Sequence, residues 1–299
     1  MTEEQFQLAD RIAKIKSINE MYDLENKSYI SFSGGKDSVA TSLLIDMALP
    51  KNKIPRVFID TGIEYNEVRE YVKWYQNKEP KTIIIKPQVN VKAMLEEYGY
   101  PFKSKQHSHN VAIYQRNGMT KTNINYLGKG YKVTFLCPKM LHYQFTPEFK
   151  IKLSDKCCYK MKKEVARKYE KESGRSICIT GIRMAEGGYR NYQTACTIFE
   201  DENLKMFHPL KPCTDDFINY VFQLTNFPMC SLYKEPFNFK RTGCRGCPFN
   251  IELAEELETL LKISPKQAKA AYKIWKPVYD EYARINYRIS KELLKKLQS

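Results

Sequence analysis

Two rhythms of apolar and polar positions share the first half of the chain. Residues 27–32 (KSYISF), 56–59 (RVFI) and 81–85 (KTIII) are short runs rich in β-branched and aromatic residues, which predicts strands. Residues 3–25, 38–47 and 64–76 instead space their apolar positions at the helical period. Strands alternating with helices are the pattern of parallel βαβ units joined by right-handed crossovers, so the expected fold is α/β, doubly wound, with a mostly parallel sheet. Around 101–149 the pattern dissolves into Asn, Gly and Lys, with a hairpin expected in an excursion from the core. Helix returns at 164–172, a further core strand at 176–180 (SICIT) and another helix at 216–224. A loop-rich stretch runs to 249, and 251–299 reads as two or three helices, with Pro265 capping one and Pro277 breaking or kinking another. The organisation expected is an α/β domain over 1–200 with a basic excursion at 101–150, a cysteine-bearing module over 201–250, and a C-terminal helical segment over 251–299.

Composition narrows the class. At 299 residues, 42% apolar and 28% charged, the chain has the make-up of a globular protein, which excludes disorder and collagen-like repeats. No apolar run reaches the length a membrane helix needs, and the polar helical start lacks the apolar core of a signal peptide, so the expectation is a cytoplasmic protein without a membrane partner. Nine cysteines, an odd number, in a reducing compartment point to metal ligation or redox chemistry before disulfides. The net charge of +15 is uneven: residues 101–173 hold 14 Lys and 2 Arg against 5 acids. Either this is a solvated basic surface or it meets an anion such as a nucleic-acid acceptor.

The strongest local signal is Ser31-Phe32-Ser33-Gly34-Gly35-Lys36-Asp37-Ser38, between a predicted strand and a predicted helix. Glycines let backbone approach a ligand, the amides and positive end of the following helix favour phosphate oxygens, and Ser33, Lys36 and Ser38 add donors. It lacks the GxxxxGK[ST] spacing of a Walker loop. The next strand delivers Asp60, Thr61 and Gly62 to the same sheet edge, where Asp60 suits a ribose hydroxyl, an amino group or hydrated magnesium, or else a helix cap. A third strand runs into Gly181 and Arg183, with Arg190 beyond; planar guanidinium forks suit phosphate or sulfate, the plain alternative being surface arginines.

Cys157 and Cys158 are adjacent, and 85 residues later Cys244 and Cys247 form a CxxC. Four thiolates satisfy an iron-sulfur cluster or a structural zinc. Vicinal cysteines splay awkwardly around one tetrahedral ion, whereas a cluster offers each sulfur its own iron, so an iron-sulfur cluster is the first reading, with zinc and free thiols the alternatives. The other five cysteines lack spacing partners and read as buried apolar residues.

Together these blocks resemble the phosphoadenosine-phosphosulfate reductase family, within the adenine-nucleotide alpha-hydrolase superfamily. SFSGGKDS, FIDTG, CC followed by ITGIR, and HPLKPCTDDFINYVF leading to the TGCRGCPF block match in order over about residues 25–250. The resemblance implies Cys157, Cys158, Cys244 and Cys247 as ligands of a 4Fe-4S cluster, Lys162 near that cluster, and Arg183 and Arg190 toward the anionic end of an adenine nucleotide, ATP or a sulfonucleotide. Two features depart from the reductases: the last cysteine is Cys247, where they carry a catalytic cysteine near the C-terminus, and the loop keeps the intact form of ATP-cleaving relatives. The leading expectation is therefore an enzyme that cleaves Mg-ATP to AMP and pyrophosphate, with Lys36 and Arg183 as the catalytic cations, to activate an acceptor for sulfur transfer. The alternatives are a sulfonucleotide reductase using an external thiol, and a non-catalytic nucleotide- or nucleic-acid-binding component of a sulfur-modification or defence assembly. A homo-oligomer is a further partner arrangement left open.

Overall fold

The protein is described here from a computed structural model covering residues 2–131, 135–186 and 195–299. The chain forms two compact units: one from residues 1–60, 66–86 and 165–242, the other from 61–65, 87–164 and 243–299.

The first unit carries the sheet. Helix α1 (Glu3–Tyr22) and the short α2 (Leu24–Lys27) lead into β1 (Ser28–Phe32), α3 (Lys36–Ala48), β2 (Arg56–Ile59), α4 (Asn66–Lys78) and β3 (Thr82–Ile85). The expected helix over 3–25 is interrupted because Asp23 turns left-handed at φ 55°. A later segment adds α8 (Glu164–Ser173), β4 (Ile177–Ile179), β5 (Thr197–Glu200), β6 (Asn203–Phe207) and α9 (Asp215–Thr225). The six strands lie in the order β3-β2-β1-β4-β6-β5, parallel except for the edge pair β5–β6. Ile30, Phe32, Val57, Phe58, Ile177, Ile179 and Phe207 bury the faces of this sheet, as helix-covered parallel strands require. The fold is thus α/β with a mostly parallel sheet. The β5–β6 hairpin escapes the sequence pattern because β5 is an edge strand with no buried residue. From β1 the chain winds outward through β2 and β3, then returns to β4 on the other side of β1. That reversal makes the carboxyl ends of β1 and β4 a topological switch point, the place where open α/β sheets bind ligands.

The second unit is helical. It contains α5 (Val91–Tyr98), α6 (Lys105–Asn117), α7 (Lys121–Tyr126), a 3-10 turn Lys139–Phe145, a π turn Tyr159–Lys163, and then α10 (Leu253–Ile263), α11 (Pro265–Arg284) and α12 (Lys291–Gln298). Among the described residues of 101–149 there is no hairpin. Side chains of Ser104 and Thr120 cap α6 and α7 by accepting from His107 N and Asn123 N. These helices are hidden from a periodicity reading because most of the buried positions are polar: His107, Ser108, Asn110 and Asn123 are all inside, held by hydrogen bonds such as Asn123 Nδ2 to Asn110 O at 2.8 Å, while Asn110 Oδ1 has no partner among the described residues. Pro265 sits in the first turn of α11, as expected, but α11 runs through Pro277 unbroken. The N–H that Pro277 lacks would have met the carbonyl of Lys273, an exposed residue, so water can take its place. Among the described residues, no helix is long and apolar enough to cross a membrane.

Candidate functional site

The loop after β1 turns on Gly34 at φ 72°, a conformation that disfavours side chains, and a Cβ there would lie 2.8 Å from Val72 Cγ2. Its amides are met largely by hydroxyls. Ser33 N donates to Ser38 Oγ at 3.1 Å, Gly35 N to Ser33 Oγ at 3.3 Å, and Lys36 N to the Tyr233 hydroxyl at 3.1 Å, which in turn pairs with Thr242 Oγ1 at 3.1 Å. A Cβ on Gly35 would come within 2.6 Å of Thr242 Oγ1. The loop therefore presents a small nest of amides and hydroxyls at the start of α3, with Ser31 and Ser33 exposed and Ser38 buried.

The turn after β4 packs directly on this loop. A Cβ on Gly181 would stand 2.6 Å from Asp37 O, so only glycine lets the two backbones meet. Two residues on, the buried Arg183 donates from Nε to Asp37 Oδ1 at 2.7 Å, from Nη2 to Asp215 Oδ1 at 2.9 Å and from Nη1 to Cys213 O at 3.3 Å. Lys36 Nζ donates to the same Asp215 oxygen. The result is a line of alternating charge, Lys36–Asp215–Arg183–Asp37, tying the loop to the β4 turn and to the N-terminus of α9. The Lys36 hydrogen bond first, and the Arg183 guanidinium with it, hold the Asp215 carboxyl below its ordinary range. Asp60, buried at the end of β2, pairs with Arg69 at 3.2 Å and Lys86 at 3.9 Å. Arg190 lies outside the described residues.

In the second unit, the Thr61 amide and hydroxyl donate to the two oxygens of Glu64 at 3.0 and 2.6 Å, and Gly62 takes φ 83°. Glu64 also forms an isolated bridge with Cys244. Here the four cysteines of the sequence reading come into one electrostatic neighbourhood. Burial, then Cys158 and Cys244, pushes the Cys157 thiol up; burial, then Cys244, with Cys158 and Cys157, does the same for Cys247. Lys162 hydrogen-bonds the Cys244 sulfur, which together with Glu64 and Cys158 holds its ammonium above the ordinary lysine range. No three Cys, His, Asp or Glu side chains among the described residues converge as ligands of one metal ion.

The CxxC turn is held rigidly by the C-terminal helices. Gly246 has φ 62°, and a Cβ there would be 2.3 Å from the Tyr279 hydroxyl and 2.8 Å from Ala271 Cβ. Trp275 Nε1 donates to Arg245 O at 3.0 Å, the Tyr279 hydroxyl to Gly246 O, and the Tyr282 hydroxyl to Pro248 O at 2.9 Å. Glu256 accepts from Gly246 N at 2.6 Å and from Asn250 Nδ2, and burial pushes its carboxyl up.

A sequence model of the phosphoadenosine phosphosulfate reductase domain matches residues 27–129 and 120–250, which is most of the chain. The protein belongs to this family. Other resemblances are more distant. An uncharacterized protein of Methanocaldococcus jannaschii, MJ0973, is 33% identical over 103 residues, 31% of this chain and only 25% of that relative. Among solved structures, phosphoadenylyl-sulfate reductase from Candida auris is 13% identical with a TM-score of 0.46, over 82% of this chain and 96% of that one. FMN adenylyltransferase from Candida glabrata in complex with ATP is 14% identical with a TM-score of 0.47, over 82% of this chain and 64% of that one. The U34-tRNA thiolase NcsA from Methanococcus maripaludis with its 4Fe-4S cluster is 11% identical with a TM-score of 0.39, over 92% of this chain and 79% of that one.

Several participants, some of them beyond the residues that match the phosphoadenosine phosphosulfate reductase domain, were not singled out from sequence. Asp215, Tyr233 and Thr242 close on the loop, and Glu64, Glu256, Trp275, Tyr279 and Tyr282 surround the cysteine turn or brace it. Asp215 carried a signal, as the residue after the N-cap Thr214 of an expected helix. The aromatic residues of α11 carried none beyond helical spacing, since a core residue and a brace look alike in a sequence.

Proposed function

We propose that the first unit binds an adenine nucleotide with its phosphates on the Ser33–Ser38 loop, and that the reaction is cleavage of ATP between the alpha and beta phosphates. The observation that carries this reading is the loop itself: an SGGKDS turn at the switch point, with Gly34 left-handed and its amides resting on side-chain hydroxyls, groups that phosphate oxygens can replace. An acceptor nucleophile attacks the alpha phosphorus, the bond to the bridging oxygen breaks, and pyrophosphate leaves with the electron pair. The acceptor is thereby adenylated; a sulfur donor then attacks the acceptor atom that carries the adenylate, the acceptor–oxygen bond breaks, and AMP leaves with the electron pair. Lys36 and the loop amides stabilise charge developing on the departing pyrophosphate, and magnesium arrives as part of the substrate. Arg183, fixed by Asp37 and Asp215, positions the loop and the N-terminus of α9 around that anion. For Lys36 to reach phosphate it must leave Asp215, so nucleotide binding exchanges one carboxylate for another anion.

In the second unit, Cys157, Cys158, Cys244 and Cys247 are read as ligands of a 4Fe-4S cluster. The donor chemistry fits: four clustered thiols, a cation on Cys244 and a glycine turn pinned by Trp275, Tyr279 and Glu256. In such a cluster each sulfur takes its own iron, which suits the adjacent Cys157 and Cys158, and zinc is the alternative. When bound, such a cluster supplies a local charge and a cross-link between distant segments of chain.

Incubating the anaerobically purified protein with alpha-labelled ATP and magnesium should release AMP and pyrophosphate when acceptor is present, and Lys36→Ala should abolish this. No AMP, together with thiol-dependent sulfite release from adenylylsulfate, would replace this reading with that of a sulfonucleotide reductase. Metal analysis should give close to four irons and four sulfides per chain. Stoichiometric zinc without sulfide would overturn the cluster while keeping the ligands.

A further inference from the structure

The second unit contains a cavity that the nucleotide reading does not use. Its volume is about 790 Å³, inside the range of about 300–1,000 Å³ typical of small-ligand sites. It lies in the strongly basic stretch of the sequence, between the end of α5, one face of α6 and the extended segment 146–156. That segment is firmly seated. Gly99, at φ 104°, lets it pass with Lys152 O only 2.8 Å from where a Cβ would be, and Tyr100 pairs with it through N–H to Lys152 O and from Ser154 N, both at 2.8 Å. Gln115 grips the same segment like a neighbouring strand, donating from Nε2 to Ile151 O at 2.8 Å and accepting from Leu153 N at 3.1 Å. The floor is the buried pair Leu153 and Ser154.

Around this rigid floor stand two kinds of wall. Arg116, Lys150, Lys152 and Lys156 are exposed at the margin, and their heads can reach phosphate. Tyr98, Tyr114 and Phe149 are half-buried and line the cavity with aromatic rings, the Lys160 ammonium lying over the Tyr98 ring at 4.9 Å. Cations at the rim with aromatic faces inside match a stacked base whose backbone runs along the edge. Duplex does not fit this shape, because its bases stack on one another and leave no face free. Two acidic residues also line the cavity, Glu97 and the Asp155 that faces His109 at 3.4 Å. Carboxylates repel phosphate but accept from a ribose 2′-hydroxyl, the group that separates RNA from DNA.

We propose that this cavity is a binding site for an unpaired ribonucleotide within single-stranded RNA, with the base between the aromatic side chains and the flanking phosphates on Lys150, Lys152 and Lys156. The site goes beyond the nucleotide reading of the first unit, and its binding does not require ATP.

The test uses the whole protein and a fluorescein-labelled 12-nucleotide oligoriboadenylate, read by anisotropy across a salt series without ATP. The triple variant Lys150→Ala/Lys152→Ala/Lys156→Ala should lose more than tenfold in affinity and flatten the salt slope by about 2, at about 0.7 for each phosphate left without its lysine. The control Lys266→Ala/Lys291→Ala/Lys295→Ala, which removes equal charge from exposed positions of α11 and α12, should lose less than twofold. Tyr98→Leu should weaken binding about tenfold with the slope unchanged, as loss of stacking requires. Equal losses in the two triple variants, or no binding by the unmodified protein, would overturn the site. Equal affinity for oligodeoxyadenylate would overturn the assignment to RNA, and equal affinity for a paired RNA of the same length would overturn the single-stranded one. ATP calorimetry on the same pocket variant should be unchanged; that measurement stands or falls with the loop and not with this cavity.

Discussion

Arg183 reaches back 146 positions to place Nε 2.7 Å from Asp37 Oδ1, so the turn after β4 and the loop after β1 are one structure. The guanidinium is almost wholly buried, at 3% side-chain exposure, while Asp37 and Asp215 remain open to solvent at 23% and 57%. A fixed cation with two water-facing carboxylates is an arrangement that an incoming anion can rearrange without leaving a buried charge behind.

Removing that fork should be costly in two ways. Arg183→Met is expected to lower stability by about 2 kcal/mol, the lower side of what breaking a buried pair costs, because both carboxylates can still reach water. Arg183→Lys should recover part of the loss, since charge returns without the fork. Urea denaturation measures stability, and calorimetry with ATP should show weakened binding in both variants. Unchanged denaturation midpoints would mean the pair is not a structural link.

Two buried imidazoles set an acid limit on stability. Burial drives His107 down to about 4, against its hydrogen bond with Gln144 at 2.7 Å, and burial, with Lys211 adding to it, does the same for His208, whose Nδ1 lies 2.7 Å from Thr180 Oγ1. In the unfolded chain each ring binds a proton near pH 6.5, so the contribution is complete above that value and is lost as pH falls toward about 4. By pH 5 each ring should account for about 2 kcal/mol of lost stability. Ring resonances followed by NMR should stay neutral until pH falls near 4; titration between 6 and 7 would remove this account.

The cysteine turn offers a sharper test of its brace. Gly246→Ala meets both a left-handed backbone and a Cβ clash with the Tyr279 hydroxyl, so it should cost about 2 kcal/mol or more and release bound iron. Tyr279→Phe removes only the hydrogen bond to Gly246 O and should cost about 1 kcal/mol with iron retained. Thermal melts and iron content of the two variants distinguish backbone shape from a single hydrogen bond.

Lys211 is fully buried, and its Nζ has no hydrogen-bond partner among the described residues. Lysine to methionine at this position keeps the stem and removes an unpaired polar head, so Lys211→Met should raise stability by about 1–3 kcal/mol. A fall in melting temperature would show that the amine meets a partner in solution.

The sequence by itself determined the parallel strands β1 to β4 and the places where chemistry gathers, but not β5 and β6. Strands 56–59 (RVFI) and 28–32 (SYISF) are visible because mostly buried parallel strands draw on β-branched and aromatic residues, here Ile30, Phe32, Val57, Phe58 and Ile59. Gly34, Lys36 and Gly181 stand out because a glycine-rich turn between strand and helix has few other uses, and Cys157, Cys158, Cys244 and Cys247 because thiols pair by spacing. Only the tertiary structure decided what those residues face. Arg183 could have been a surface arginine; the carboxylates that claim it come from positions 37 and 215, and no local pattern joins them. The helices of 105–126 stayed hidden because most of their buried side chains are polar, and polar burial becomes affordable only once partners such as Gln144 for His107 arrive from elsewhere in the chain. The brace of the cysteine turn by Trp275, Tyr279 and Tyr282 was hidden for the complementary reason: a hydroxyl or indole N–H that ends on a distant carbonyl leaves no periodic trace, because hydrogen-bond direction is a property of three dimensions.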